Sequence, residues 1–207
     1  MIRLLYALIF SLAVPVAVAN DVAPDVLIKS ISDDVIGIIK QDKDIKAGDR
    51  AKINALVDAK VLPHFNFARM TALAMGRSWP KANAAQQQAL VAQFRDLLVR
   101  TYSGALSAYK NEVIEFKPLR AQAADTDVTV RTQVKRPGTQ PIGIDYSMEK
   151  TPTGWKVYDV AVAGVSLVTN YRDSFNAEIR ANGVDGLIKL LADKNRSQEP
   201  ASGGKAK

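Results

Sequence analysis

The sequence predicts an α+β domain: a four-stranded antiparallel curved sheet packed against N-terminal and C-terminal helices. Three observations predict it. Apolar residues recur at helical spacing up to about Tyr109, the period changes to two between Val113 and Val162, and the helical period returns after Gly164. Clean alternation with short links argues for a meander with one packed face. A curved sheet wrapped by helices leaves a concave space between the layers, which either side chains or a ligand must fill.

Residues 1–19 read as a cleavable export signal. Arg3 supplies the positive start, Leu4 to Val18 is apolar or small apart from Ser11, and Ala17-Val18-Ala19 fits a small-x-small cleavage site. The apolar run is short for a membrane span of roughly twenty residues. Residues 20–195 then form a single domain, and 196–207 a polar tail expected to be disordered.

The first helix covers 21–40, with Pro24 near its start and Leu27, Ile28, Ile31, Val35, Ile38 and Ile39 as its buried stripe. Gly48-Asp49 opens a second helix through Ile53, Leu56, Val57 and Val61, stopped at Pro63. Asn66 caps a short helix carrying Phe67, Met70, Leu73 and Ala74, and Gly76 ends it. Asn83 and Gln86 form a capping box that opens a long helix to about Tyr109, with Leu90, Phe94, Leu97, Leu98 and Tyr102 on its wide apolar face.

Strands are expected at 113–118, 127–135, 142–150 and 155–162. Val128, Val130, Thr132 and Val134 share one face of the second, and Ile142, Ile144, Tyr146 and Met148 one face of the third. In the fourth, both alternating sets are largely apolar, so both faces have something to cover. Gly164 breaks this strand, Ser166 caps, and Leu167, Tyr171, Phe175 and Ile179 make one helical ridge. A last short helix at 187–191 follows Gly186, and the polar tail starts at Asn195.

The chemistry of the chain is sparse. There is no cysteine, which excludes thiol catalysis and thiolate metal sites. The one histidine, His64, sits between Pro63 and Phe65 and reads as a turn residue or a lone base. Asp33-Asp34 and Asp42-Lys43-Asp44 look like solvated surface, and Asp145 and Glu149 point outward by alternation. Asp159 alone is flanked by apolar neighbours; it is either a general base with a raised pKa or the partner of an arginine such as Arg172. No glycine motif cradles a phosphate and no nucleotide fingerprint is present. The net charge of +7 favours acidic surfaces as partners, or is simply a scattered solubilising surface. Export argues against nucleic acid. Phe65, Phe67, Met70, Met75 and Trp79 admit two readings as well: packing at a helix junction, or a soft wall for a flexible apolar guest.

Taken together, L-P-H-F-N-F-A-R-M-T-A-L-A-M-G-R-S-W, Q-F-R-D-L-L-V-R-T-Y-S-G-A-L and W-K-V-Y-D-V-A-V-A-G-V-S-L-V-T-N-Y-R-D-S-F resemble the MlaC, or toluene-tolerance, family of periplasmic phospholipid carriers of Gram-negative bacteria. The likeness runs from about Val26 to Leu191 in order, behind a signal peptide. Asn66 departs from the aspartate that many members carry, but it still caps a helix.

The resemblance implies a non-enzymatic periplasmic shuttle. Phospholipid would be its cargo, with no cofactor, metal or nucleotide. Its partners would be an outer-membrane lipoprotein–porin complex and an inner-membrane ATP-driven transporter with its substrate-binding ring. The layers would then enclose an apolar cavity walled by Phe67, Met70, Leu73, Phe94, Leu98, Tyr102, Val130, Ile144, Tyr146, Val165, Val168 and Tyr171. Arg77 and Arg172 are the candidates to touch the headgroup. Two other readings stand beside this one. The first is a small periplasmic enzyme acting on an apolar substrate with Asp159 or His64 as base; the second is an interaction domain whose core is full.

Overall fold

The computed structural model describes residues 22–122 and 124–197; the expected signal peptide and all of the expected tail beyond Ser197 lie outside them. Helix α1 (Pro24–Gln41) begins on proline, which lacks only an N–H that no first turn can pair, and buries Pro24, Ile28, Val35 and Ile39. Asp42 ends it and caps a short α2 (Lys43–Lys46), accepting from the amides of Asp44 at 2.8 Å and Ile45 at 3.1 Å. Asp42 and Asp44 also reach Lys52 of α3 (Arg50–Lys60), at 3.2 and 2.6 Å. The acidic pair expected as solvated surface thus also caps a helix and pairs with a lysine, with Asp44 still exposed.

Asp49 caps α3 by accepting from the Lys52 amide at 3.1 Å. A 3-10 turn at Leu62–His64 leads into α4 (Phe67–Met75), capped by Asn66 through the Arg69 amide at 3.0 Å. The capping box of Asn83 and Gln86 opens α5 (Ala84–Tyr102). This helix stops before Tyr109: Ser103–Leu106 tightens into a 3-10 turn around Gly104, a poor residue for continuing an α-helix.

The sheet is an antiparallel meander in the order of the chain: β1 (Val113–Phe116), β2 (Asp127–Lys135), β3 (Ile142–Thr151), β4 (Gly154–Val162) and β5 (Val165–Ser166). It has five strands where the sequence predicts four. Ala163 and Gly164 both adopt positive φ, at 50° and 82°, the geometry of a two-residue hairpin turn that follows strand twist. The chain thus folds back and pairs Val165 with Val162 and Ser166 with Ala161 before the helix starts. Opposite Ser147 and Met148, β4 carries one extra residue, Tyr158, a bulge that bends the strand.

The last helical stretch, α6 (Leu167–Ser197), is two segments meeting at Gly183, whose φ of 72° and ψ of −175° no helix accommodates. The second segment is far longer than the short helix expected at 187–191. Asn195, expected to open the tail, is buried and donates to the Gln93 carbonyl at 2.9 Å, fastening α6 to α5.

Buried apolar side chains fall into three clusters rather than one. Met70, Leu90, Phe94, Leu98, Val168, Phe175 and Leu187 join α4, α5 and α6. Ile28 joins Val128, Val130, Met148, Trp155 and Val157 on the sheet. Val35, Ile39, Ile45, Ile53 and Leu56 join α1, α2 and α3. Helix α1 rests on β2, and α4 and α6 rest on β4, whereas α5 packs mainly on α4 and α6. Both faces of β4 are covered, as its sequence predicts: Val157 belongs to the sheet cluster and Tyr158 borders the helical one.

Candidate functional site

Strand alternation sets one broad apolar face. Val130 pairs with Tyr146, Thr132 with Ile144 and Val134 with Ile142, and the row continues into β4 through Val160 and Val162. One end of this face is sealed, with Val128, Val130, Met148, Trp155 and Val157 buried under Ile28 and Phe65. The other end is not: Ile144, Tyr146, Val160 and Val162 are half-buried, and Ile142 is 49% exposed. Burial pushes the Tyr146 phenol above its usual pKa, with a hydrogen bond to Thr132 opposing the shift. Thr132 itself is buried and donates to the Ile144 carbonyl at 2.9 Å.

The expected wall residues separate into two groups. Val130, Ile144 and Tyr146 share the sheet face just described. Phe67, Met70, Leu73, Phe94, Leu98, Val168 and Tyr171 meet in the helical cluster. Within that cluster Phe94 is wholly buried, set edge-on to Tyr171 at 5.2 Å and to Phe175 at 5.1 Å between ring centroids. Two members fall outside both groups: Tyr102 is 37% exposed at the end of α5, and Val165 is 58% exposed on β5. Phe65 packs against both the helical and the sheet clusters, stacked on Phe67 at 5.7 Å.

The two expected headgroup residues do come together. Arg77 and Arg172 line a cleft of about 760 Å³ between α4 and α6, with Arg69, Ala72, Leu73, Gly76, Asn176 and Arg180. Arg172 is held by the α4 backbone, donating to the Leu73 carbonyl from Nε at 3.2 Å and Nη2 at 3.0 Å. Arg69 pairs with Glu149 at 2.7 Å and Asp127 at 2.8 Å, and the four donors and acceptors around it tie α4 to β2 and β3. Arg77 and Arg180 are exposed, with no ion pair among the described residues. Sequence reasoning missed Arg69 and Arg180. Their signal was spacing: Arg172, Asn176 and Arg180 stand at four-residue steps on one ridge of α6, and Arg69 and Leu73 stand four apart on α4, with Arg77 just beyond its end in the 3-10 turn Gly76–Lys81.

The candidate bases are placed differently from expectation. Asp159 is not paired with Arg172. Its carboxylate accepts from the Ser166 hydroxyl on one oxygen and from the Val168 amide, at 3.2 Å, on the other, which starts α6. Ser166 extends the cap by accepting from the Thr169 amide at 3.0 Å. His64 is half-buried in the 3-10 turn, and burial lowers its pKa, assisted by the charge of Lys156. No cluster of metal-ligating side chains occurs among the described residues.

Comparison with known proteins gives a consistent result. The family model for the MlaC protein matches residues 29–193. The chain is 24% identical to the intermembrane phospholipid transport system binding protein MlaC of Haemophilus influenzae, over 83% of this chain and 81% of that one. It is 29% identical to toluene tolerance protein ttg2D of Pseudomonas putida, over 51% of this chain and 48% of the relative. A solved structure of a phospholipid-binding protein from Ralstonia solanacearum, in complex with a phospholipid, superposes with a TM-score of 0.79. That protein is 42% identical, with 84% of this chain and 97% of its own covered.

Proposed function

The chain belongs to the MlaC family, and on that premise we propose that it is a periplasmic phospholipid carrier. It holds acyl chains in a hydrophobic cavity where the three apolar clusters approach without merging. It shuttles lipid between an outer-membrane lipoprotein–porin complex and an inner-membrane ATP-driven transporter with its substrate-binding ring. The relatives support the cargo: one bears a transport-system name, and the Ralstonia solanacearum protein was solved with phospholipid.

The observation that supports this reading is the half-buried sheet face around Tyr146. The residue is half-buried on the sheet face, and burial raises the pKa of its phenol. Ile144 and Val160 flank it, likewise half-buried.

Hydrophobic enclosure is what such a cargo demands. Each methylene is worth about 0.8 kcal/mol against water, so two chains of roughly thirty methylenes amount to about 20 kcal/mol that the walls must match. In this reading Val130, Ile144 and Tyr146 form the floor. Phe67, Leu73, Leu98, Tyr102 and Tyr171 supply the helical side, Met70, Phe94 and Val168 stiffen it from behind, and Val165 stands at the rim. No cofactor or nucleotide enters this reading.

Mass spectrometry of an organic extract of the periplasmic protein tests the cargo. Co-purifying phospholipid is expected; a folded, monodisperse and lipid-free preparation overturns the reading. Transfer of labelled phospholipid between vesicles bearing the two membrane complexes tests the shuttle. The enzyme reading is weakened by Asp159, both of whose oxygens are committed to starting α6.

A further inference from the structure

We propose that the α4–α6 cleft is a phosphate-binding site, built to take the phosphate of an anionic phospholipid headgroup or a free phosphate ion. Insofar as the source is a lipid, this rests on the carrier reading.

Four arginines line the cleft, with Leu73 and Asn176 between them, and no carboxylate is among its lining residues. Their roles differ. Arg69 has its charge answered by Asp127 and Glu149, so it forms the wall. Arg172 spends two donors on the Leu73 carbonyl, which positions the guanidinium without neutralising it. Arg77 and Arg180 are unpaired among the described residues and free to turn their forks inward. Like charges brought to one concave surface raise the local potential and attract an anion. A planar guanidinium fork matches the spacing of phosphate oxygens and pairs with them bidentately. The cleft, about 760 Å³, holds a phosphate together with the group that carries it. Its apolar member, Leu73, borders the helical cluster, so a lipid whose phosphate sits here has apolar surface beside it.

The test uses the full mature protein and the double variant Arg77→Gln, Arg180→Gln, two exposed positions whose change leaves the core intact. Each is equilibrated with phosphatidylcholine vesicles containing phosphatidylglycerol, and the lipid recovered on the protein is counted by headgroup. The parent is expected to enrich phosphatidylglycerol roughly three- to fivefold, the ratio one partly exposed ion pair supports. The variant should lose that enrichment, its recovered headgroup ratio falling to that of the vesicles. A second arm titrates inorganic phosphate against the arginine side-chain resonances of the lipid-free protein. Shifts in the parent that the variant lacks, without lipid enrichment, assign the site to free phosphate.

Absence of both responses overturns the proposal, as does equal loss of enrichment in an Arg120→Gln, Lys110→Gln control that removes two charges elsewhere. Binding of an acidic peptide with neither phosphate response also overturns it and makes the cleft a protein-docking surface. Failure of the parent to take up any lipid sinks the carrier reading instead, and the phosphate arm then decides the cleft alone.

Discussion

The guanidinium of Arg69 lies over the ring of Tyr158, its Cζ 3.5 Å from the ring centroid. Arg69 belongs to α4 and Tyr158 is the extra residue of the β4 bulge, so the contact joins two irregularities. The bulge turns the ring toward the helix; the tyrosine hydroxyl then donates to Asp127 at 2.6 Å, and Arg69 reaches Asp127 and Glu149 beyond it. Cation, ring and two carboxylates form one partly buried network that seats α4 on the sheet.

Arg69→Ala removes a cation–π contact and two ion pairs, and among the described residues leaves Asn66 as the remaining hydrogen-bond partner of the half-buried Glu149. A loss of about 2 kcal/mol in unfolding free energy is expected. Arg69→Lys keeps the charge but not the flat stack or the fork, and should fall between the two. Urea denaturation measures all three; a lysine variant equal to the parent would show that charge alone matters.

Asp159→Ala takes both acceptors from the start of α6. A cap of this kind is worth about 1–2 kcal/mol. Amide exchange at Val168 and Thr169 should accelerate well beyond that at Leu187, which lies past the Gly183 kink. Uniform acceleration along α6 would mean that Asp159 acts on the whole fold instead.

Ala163→Gly should stabilise the protein. Alanine at a φ of 50° pays about 1–2 kcal/mol that glycine does not, and glycine's freedom in the unfolded chain returns part of it. The expected net gain is about 0.5 kcal/mol, read as a higher denaturation midpoint at unchanged slope. A loss of stability would contradict the turn geometry that creates β5.

Ile144→Glu places a charge on the half-buried sheet face and should abolish most lipid recovered in an organic extract while the protein stays folded. Leu98→Glu is the poorer probe of the cavity, because Leu98 is 6% exposed inside the helical cluster and a charge there unfolds the packing. Equal lipid content in Ile144→Glu and the parent would remove this face from the wall.

Acid should loosen the β1 edge first. Lys117 and Lys135 both hydrogen-bond the Glu115 carboxylate and hold its pKa down to about 2, against an ordinary value of 4.5. A depressed folded pKa gives stability that is present above the unfolded value and lost as pH falls from there through about 2. Glu115→Gln should therefore lower stability at neutral pH, converge with the parent as pH falls through about 2, and flatten the curve in that acid window. A parallel downward shift at every pH would assign the residue a packing role.

Most of the fold was legible in local chemistry. Asp49, Asn66 and the Asn83–Gln86 box announce helix starts because a capping side chain acts on amides two or three residues away. The alternation of 127–135 marks β2 to the residue, since a pleat alone sets which side a chain faces. The candidate site was legible only in part. Seven expected wall residues gather in one helical cluster, but alternation and helical period cannot say which buried side chains pack on each other and which border a space. The arginine ridges were visible as spacing, yet only packing brings α4 and α6, some hundred residues apart in sequence, to one cleft.

By itself the chain determined what short-range physics controls: the order of helices and strands, the caps and the greasy face of each element, and a composition without thiols. Tertiary structure decided the rest. The Ala163–Gly164 turn yields a fifth strand because its geometry lets two residues pair backward, and Asp159 serves a helix start because that turn brings Ser166 and Val168 to it. Three apolar clusters form because helices and strands far apart in sequence pack together, and such long-range geometry is encoded in no single stretch of residues.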